Sequence, residues 1–457
     1  MSGWATAELK NAQLGDVRRT KRLILIVDNL SKKPSATVPE ACGTWAATKA
    51  TYDFWDSPYI KPEQIRQAHI DSTLKRITEQ DWILAIQDTT EFNYTNHPAT
   101  QGMGYLDSKY SWGLKVHSTI AVTTEGIPLG LINQQVWASD ILELGKASTR
   151  HQKPTITKES NKWLLGLRAT KELITSGQQV VTIADREADF YDLFAACSSL
   201  ESAFLIRATQ NRCLMDSDQH LKEALEEVQP QGELIVELKR NLNRKARRAK
   251  LTIRFTSLTI KAPQNRPWPK HLAAINLQVI LAVEEDPPLS EEPISWLLLT
   301  NLPISNCSQA IRYVKWYSYR WLIERYHYTL KSGCGLEKLQ LRTARRLEMA
   351  LATYSIVAWR LLWLTYQARC HPETDCSVVL EPYEWQALYA TIHEKKYPFT
   401  RPPTLGEVIG WIAQLGGFLG RKSDGAPGVK TLWRGLRRLD DIARTWLFCH
   451  NSFFDES

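Results

Sequence analysis

Two short apolar runs that each end on an aspartate constrain the fold of this chain more than any other feature. The first run, WILAIQ, leads into Asp88, and the second, QVVTIA, leads into Asp185. A run of four to eight mostly apolar residues that stops at polar residues is typical of a buried strand. We therefore expect both aspartates to lie at the ends of interior strands of one sheet.

The segments around these runs predict an order of strands and helices. GLKVHSTIAVTT and IPLGLINQQVWA follow the first aspartate and are separated by Glu125-Gly126, which indicates a turn between antiparallel strands. KESNKWLLGLRATKELI has the apolar spacing of an amphipathic helix, and AFLIRA predicts a strand after the second aspartate. The resulting order, β-β-β-α-β-α-β, is that of a ribonuclease-H-like α/β core with a mixed sheet.

Helical segments flank this core, and a strand-rich segment interrupts it. Between about residues 212 and 303 the sequence alternates apolar and polar residues, as antiparallel strands do. From Asn306 we expect one long helix. The sequence thus predicts an N-terminal helical domain (1–70), an α/β domain (71–370) with a β-rich insertion at about 212–303, and a C-terminal helical domain (371–457).

Composition indicates a folded protein of several units. The chain has 457 residues, of which 43% are hydrophobic and 23% are charged, as in globular proteins of about two to four units. The net charge of +8 permits a polyanionic partner without requiring one. The eight cysteines form no CxxC pair, which favours reduced thiols in a cytosolic protein. Met349–Tyr366 is apolar but is interrupted by Arg360, so we expect a buried helix and no membrane span.

Three carboxylates are candidates for a metal site: Asp88, Asp185 and Glu324. The first and fourth strands of a ribonuclease-H-like sheet are neighbours, so the two aspartates meet there, and a helix can bring the glutamate. Three carboxylates at one point repel each other unless a cation neutralises them, and Mg²⁺ prefers such oxygen ligands. Two ions about 4 Å apart support phosphodiester chemistry. The alternatives are an Asx turn, a helix cap and an ion pair with Arg320.

The residues around Glu324 suggest what else the predicted helix binds. Tyr317, Glu324 and Lys331 are seven residues apart and drift by only about 20° per step, so they share one face of a regular helix. Arg320 lies three residues after Tyr317 and joins that face. Guanidinium, ammonium and phenol groups all donate to phosphate oxygens. This face is suited to the DNA backbone.

Two basic clusters are weaker signals. One contains seven basic residues between Lys239 and Lys250, and the other is RRTKR, which includes Arg18, Arg19 and Arg22. Taken alone, each cluster is adequately explained as a solvated loop or helix face.

The spacing Y-x2-R-x3-E-x6-K, here Tyr317, Arg320, Glu324 and Lys331, resembles the signature of the IS-four family of bacterial insertion-sequence transposases. Further segments are similar to the Tn-five-type members in the same order along the chain: LGDVRRTKRL, AIQDTTEFNY, ADREADFYD, SWLLLTNLPI and LGGFLGRKSDG. The resemblance covers nearly the whole chain, although residues 139–157 diverge.

This resemblance implies a cut-and-paste DDE transposase. Asp88, Asp185 and Glu324 match its catalytic triad, which holds two Mg²⁺ ions per site, with Mn²⁺ as a substitute. The implied reaction nicks the transferred strand, forms a hairpin by attack of the new 3′-hydroxyl on the opposite strand, reopens it and joins the end to target DNA. A different metal-dependent nuclease, such as a junction resolvase, and a non-catalytic DNA-binding protein are the alternatives.

The resemblance also implies DNA contacts and partners. Trp296 matches the residue that stacks on a flipped base, and Trp321 and Arg207 match residues near the cleaved end; the plain alternative for the tryptophans is packing. Residues 1–70 are implied to bind the transposon end, which makes Arg18, Arg19 and Arg22 candidate DNA contacts. The C-terminal helices are implied to form a homodimer in a synaptic complex. We expect a bacterial cytoplasmic protein that joins the nucleoid when bound to DNA.

Overall fold

The computed structural model describes residues 3–106, 108–140, 154–175, 177–215, 217–238, 247–264, 272–289, 291–395, 401–421 and 424–451. Before the sheet, the chain forms helices α1 (Trp4–Leu9), α2 (Val17–Lys32), α3 (Val38–Cys42), α4 (Trp45–Asp56) and α5 (Pro62–Ile77). Asp16 begins α2, where its side chain accepts a hydrogen bond from the backbone of Arg18. The helices α3 and α4 are separate, because Gly43 has φ 72° and Thr44 caps a new helix.

One mixed sheet runs through the molecule. Its strands are β1 (Trp82–Asn93), β2 (Gly104–Tyr105), β3 (Trp112–Val122), β4 (Pro128–Trp137), β5 (Gln179–Ala184), β6 (Ala203–Arg207), β7 (Gly232–Leu238), β8 (Arg247–Ile260), β9 (Ile275–Glu284) and β10 (Ser295–Thr300). The strand order is β2-β3-β1-β5-β6-β10-β9-β8-β7, and β4 pairs with β3. The strand β1 is antiparallel to β3 and parallel to β5, so the expected neighbours of the first strand are confirmed.

Helices α6 (Asn161–Leu173), α7 (Tyr191–Ser199) and α8 (Leu221–Glu226) connect these strands. The predicted order of strands and helices is present, with the two-residue strand β2 added. Strands β7 to β10 lie in the segment expected to be strand-rich, and β10 pairs with β6. They therefore extend the same sheet and do not form a separate one.

The prediction of one long helix from Asn306 is wrong. Asn306 caps α9 (Cys307–Ser318), but a second helix, α10 (Trp321–Tyr328), and a π-helical turn (Thr329–Gly333) follow it. Between the helices, Arg320 N donates to Tyr317 O at 2.9 Å and Leu322 N donates to Tyr319 O at 2.8 Å. These bonds span three residues and not four, which tightens the backbone and ends the regular helix.

The remaining helices are α11 (Ala344–Cys370), α12 (Pro382–His393), α13 (Leu405–Leu415) and α14 (Val429–Asn451). Among the described residues, α11 alone is long and apolar enough to cross a membrane by length and composition, yet 89% of its most apolar window is buried inside the protein. It is the central core helix, as the sequence predicted. The N-terminal helices pack against it, and Trp55 Nε1 donates to Thr353 Oγ1 at 3.2 Å. All eight cysteines are free thiols.

Candidate active site

The sheet places Asp88 beside the end of β5. The parallel pairing of β1 with β5 stops at Ile86 and Ile183, whereas the pairing of β1 with β3 continues to Asn93. Asp88 therefore lies within a strand, and the expectation that it ends the strand is wrong. The strand continues because β3 supplies backbone partners beyond the point at which β5 turns away.

Asp185 is the first residue after β5 and begins a short 3₁₀ turn, Arg186–Ala188. Its Oδ1 accepts a hydrogen bond from the backbone of Glu187 at 2.9 Å. The capping role that was the plain alternative for this residue is thus present. The cap also fixes the carboxylate at the carboxyl end of β5, beside Asp88 on β1.

Glu324 reaches the site from α10, which packs across β1. Arg320 Nη2 donates to Glu324 Oε1, and Arg320 Nη1 lies 4.0 Å from Asp88 Oδ2. The ion pair with Arg320 that was the plain alternative for Glu324 is therefore present as well. One guanidinium serves two carboxylates that come from a strand and a helix far apart in the sequence.

Burial and a neighbouring carboxylate disfavour the ionised form of Asp88. Burial raises the pKa of Asp88 to about 7, and the nearby charge of Asp185 acts in the same direction. The backbone N–H of Thr89, which donates to Asp88 Oδ1 at 2.8 Å, and the guanidinium of Arg320 only partly oppose this increase. A bound cation would stabilise the ionised carboxylates.

The donor set fits a hard divalent cation. Carboxylate oxygens are the ligands that Mg²⁺ and Mn²⁺ prefer, and these are the donors of Asp88, Asp185 and Glu324. In the part of the chain that the structure describes, no three acidic, histidine or cysteine side chains are arranged together as a metal cage. Arg320 instead provides the positive charge, and Glu324 would have to leave it to complete a cage.

Tyr317 is not exposed on a phosphate-facing stripe. It is 4% exposed, and its ring meets that of Trp296 edge to face at 5.8 Å between centroids. Burial raises the pKa of the Tyr317 hydroxyl, and the nearby guanidinium groups of Arg320 and Arg207 oppose that increase. Arg207 Nη2 also donates to Ser295 O at 2.8 Å. Tyr317, near the end of α9, therefore packs against β10 and lies close to two guanidinium groups.

The other residues of the predicted helix face are spread out. The Nζ of Lys331, in the π-helical turn, lies 5.6 Å from the centre of the Phe92 ring. Trp321 is 52% exposed, and the guanidinium of Arg325 lies 5.6 Å from its ring centre. Because the helix is interrupted on both sides of Glu324, the seven-residue spacing does not place these side chains on one uniform stripe.

Two residues that sequence reasoning missed support Asp88 from the opposite face of the sheet. His117 is fully buried, and its Nδ1 lies 2.9 Å from Thr89 Oγ1 while its Nε2 lies 3.0 Å from Gln87 Oε1. Thr89 in turn donates its backbone N–H to Asp88. The available signal was a histidine within an apolar strand, but only the strand register shows which residue it contacts.

The basic clusters lie apart from this site. Arg18 pairs with Asp16, Arg19 donates to Leu14 O at 3.0 Å, and Arg22 is half-buried on α2. In the second cluster, Arg247 pairs with Glu284 and Glu291, Arg248 with Glu237, and Lys250 with Glu233. Residues 239–246 of this cluster, and 141–153 of the divergent loop, lie outside the described residues.

Comparison with protein families covers nearly the whole chain. Residues 1–60 match the family described as transposase DNA-binding, residues 70–360 match the transposase DDE domain, and residues 356–448 match the transposase Tn5 dimerisation domain. Carboxylates on adjacent strands of a mixed sheet, between a DNA-binding and a dimerisation segment, define an enzyme that cuts and joins DNA.

The chain belongs to the DDE transposases, and its three matches together are those of a Tn5-type member of the IS-four family. The match to the DDE domain implies a ribonuclease-H-like fold, which agrees with the mixed sheet. The same match indicates nuclease and strand-transfer activity. Members of this family generally use divalent metal ions. The matches on either side of it indicate that the protein binds DNA and forms a dimer.

Proposed function

We propose that this transposase moves its element by cut-and-paste through a hairpin intermediate and joins the excised ends to target DNA. The observation that carries the proposal is that Asp88 interacts electrostatically with both Asp185 and Glu324, while Arg320 pairs with Glu324 and lies 4.0 Å from Asp88. In the first step a water oxygen attacks the scissile phosphorus, and the 3′-oxygen leaves and takes up a proton.

The later steps reuse the same site. The freed 3′-hydroxyl attacks the opposite strand, which forms a hairpin and releases the flanking DNA. Water then reopens the hairpin, and the 3′-hydroxyl finally attacks a target phosphorus while a target 3′-oxygen leaves. Each step exchanges one P–O bond for another, so no oxidant or energy-rich cofactor is required.

In this proposal Asp88, Asp185 and Glu324 are the catalytic residues and hold two Mg²⁺ ions, for which Mn²⁺ substitutes. The bound ions supply activation of the attacking oxygen and stabilisation of the leaving oxygen. The protein contributes the fixed positions of the carboxylates: β1 and β5 hold two, and α10 delivers the third. Thr89 and His117 keep Asp88 oriented from behind.

The DNA backbone is held by Arg320, Arg207 and Lys331, with Tyr317 aligning the two guanidinium groups. When phosphate approaches, Arg320 exchanges Glu324 for phosphate oxygens, since a guanidinium forms two parallel hydrogen bonds with either anion. Trp296 lies edge-on to Tyr317 at this site, and its stacking on a flipped base supplies about 1–3 kcal/mol. The half-exposed ring of Trp321 provides a second surface for that nucleotide.

The remaining parts of the chain supply recognition and assembly. Residues 1–70, with Arg18, Arg19 and Arg22, bind the transposon end, and residues 371–457 form the synaptic homodimer. Residues 71–370 are the catalytic domain, in which residues of about 212–303 are a β-rich insertion that carries Trp296. The protein is cytoplasmic and joins the nucleoid when it binds DNA.

Glu324→Ala tests this proposal directly. We expect the variant to bind a cognate end as the wild type does but to lose strand cleavage in Mg²⁺, because the third carboxylate is missing. Gel-shift and cleavage assays on the same labelled end measure both properties. Cleavage that survives the substitution would contradict the proposed mechanism.

A further inference from the structure

The end of the loop between β2 and β3, together with the first residue of β3, carries aromatic and basic side chains that the site described above does not use. Tyr110 is 73% exposed and Trp112 is 39% exposed. The Nζ of Lys109 lies 5.1 Å from the centre of the Tyr110 ring. We refer to Lys109, Tyr110 and Trp112 as the hairpin patch. Exposed aromatic rings beside an ammonium group are typical of surfaces that bind another molecule.

The strand register places Trp112, where the patch meets β3, on the same face of the sheet as Asp88. In the antiparallel pair of β1 and β3, Asp88 lies opposite Ser118 and Phe92 lies opposite Leu114, without a register shift. Directly opposed residues point to the same face, and so does every second residue along a strand. Trp112 is therefore on the same face as Asp88, six residues along β3 from Ser118.

Lys331 occupies the space between the site and the hairpin patch. Its Nζ lies over the ring of Phe92, at the level of Leu114. Six strand residues span about 20 Å, which equals about six base pairs of duplex DNA at 3.4 Å each. A duplex whose reacting phosphate lies at Asp88 can thus extend past Lys331 to the hairpin patch.

The chemistry of the patch favours a duplex of no fixed sequence. Ring faces and a single ammonium group contact sugars, bases and phosphates without reading base edges. Recognition of a defined end requires side chains such as Arg, Asn or Gln directed at base edges, and residues 1–60 match the DNA-binding family. In the proposed reaction the flanking DNA is released when the hairpin forms, so the target duplex is the further DNA that the site must hold during strand transfer.

We propose that Lys109, Tyr110 and Trp112 hold the target duplex during strand transfer. This inference rests on the proposed function of the same site and adds the surface that receives the second DNA. Because the patch lies about 20 Å from the carboxylates, its loss removes target contact without removing a group that touches the reacting phosphate.

The test compares two steps on the full-length protein. End binding and the first nick are measured on a transposon end with flanking DNA, and strand transfer is measured with pre-cleaved ends and a plasmid target. We expect Tyr110→Ser and Lys109→Gln each to lower strand transfer about tenfold, equivalent to about 1.4 kcal/mol, while nicking stays within about twofold. Lys109→Gln should also reduce the salt dependence of target binding by about one ion.

Ile235→Ala is the matched control, since Ile235 is 63% exposed on the far strand β7. Unchanged strand transfer in both hairpin-patch variants would overturn the inference. Equal loss of nicking and transfer would also overturn it, because the patch would then hold the donor DNA. Absence of nicking by the wild type on cognate ends in Mg²⁺ would instead refute the proposed function, so the two failures are distinguishable.

Discussion

Two clusters in this molecule pair arginine with carboxylates, and they differ in how fully the charges are matched. Near the N-terminus, Glu8 accepts hydrogen bonds from Arg76 Nη1 at 2.8 Å and Nη2 at 3.0 Å, and lies 2.6 Å from His69 Nδ1. At the candidate active site, Arg320 binds Glu324 and is only 4.0 Å from Asp88. The first cluster is complete, whereas the second shares one cation among several acids.

The pKa values express this difference. Burial alone would raise the pKa of Glu8, but hydrogen bonds and charge from His69 and Arg76 hold it at about 2. Burial raises the pKa of Asp88 to about 7, and Asp185 adds to the increase. In a structural cluster the protein's own basic groups stabilise the ionised carboxylate. In a catalytic cluster the carboxylates are stabilised fully only when a cation binds.

Asp88→Asn should have the largest effect on function. We expect strand cleavage to fall about a thousandfold or more, because a neutral amide is a poor ligand for a divalent cation. The free energy of unfolding should change by less than about 1 kcal/mol, since burial already disfavours the charge at this position. Cleavage kinetics and denaturant unfolding of the same preparation measure both. If Asp88→Asn lost much of its stability but kept cleavage, the Asp88 cluster would be structural and not catalytic.

Glu8→Gln should show the opposite pattern. It leaves Arg76 without its carboxylate, and we expect a loss of roughly 3 kcal/mol in the free energy of unfolding at neutral pH. Denaturant unfolding gives the value. Cleavage below the melting temperature should stay close to that of the wild type, and a variant as stable as the wild type would show that the cluster is not structural.

The same cluster predicts a pH dependence. Because the pKa of Glu8 is lowered from 4.5 to about 2, its stabilisation is present above about pH 4.5 and is lost as the pH falls toward 2. The difference in unfolding free energy between wild type and Glu8→Gln should therefore shrink across this window. Denaturant unfolding of both proteins at about pH 6, 4 and 3 measures this difference. A difference that stays constant with pH would exclude the titration of Glu8 as its cause.

Arg320→Gln should have a smaller effect, and in the direction of tighter binding. Removing the guanidinium frees Glu324 and Asp88, so the DNA-free protein should bind Mn²⁺ about tenfold more tightly, by about 1.4 kcal/mol. Titration calorimetry measures this without any cleavage reaction. Arg325→Gln is the control, since Arg325 lies over Trp321 on the same helix. Equal or weaker Mn²⁺ affinity in Arg320→Gln would show that the arginine does not compete with the metal.

The sequence predicted the fold well where local pattern determines it. Apolar runs ending in Asp88 and Asp185 indicated interior strands, and Glu125-Gly126 indicated a turn between antiparallel strands. In the structure β3 is antiparallel to β1 and β4, and β1 is parallel to β5. The spacing of acids and basic residues also indicated which helix segment reaches the site.

Features that depend on distant contacts were not predictable. The break between α9 and α10 carries no proline or glycine, and it depends on the backbone bonds of Tyr319 and Arg320. The burial of Tyr317 depends on Trp296 and Arg207, which approach from strands elsewhere in the chain. The support of Asp88 by His117 follows only from the register between β1 and β3.

The pairing of β6 with β10 has a consequence for how this protein is made. The strand β6 is apolar and buried, but its antiparallel partner is synthesised roughly ninety residues later, which takes about 5 to 20 seconds during translation. During that interval the nascent chain exposes an unpaired apolar edge. Proteolysis of ribosome-bound chains stalled before Ser295 and well after Thr300 would show protection of β6 only in the longer ones. The middle of the sheet is thus the last part to be completed. The edge of β6 stays open to proteolysis and aggregation until β10 has been synthesised.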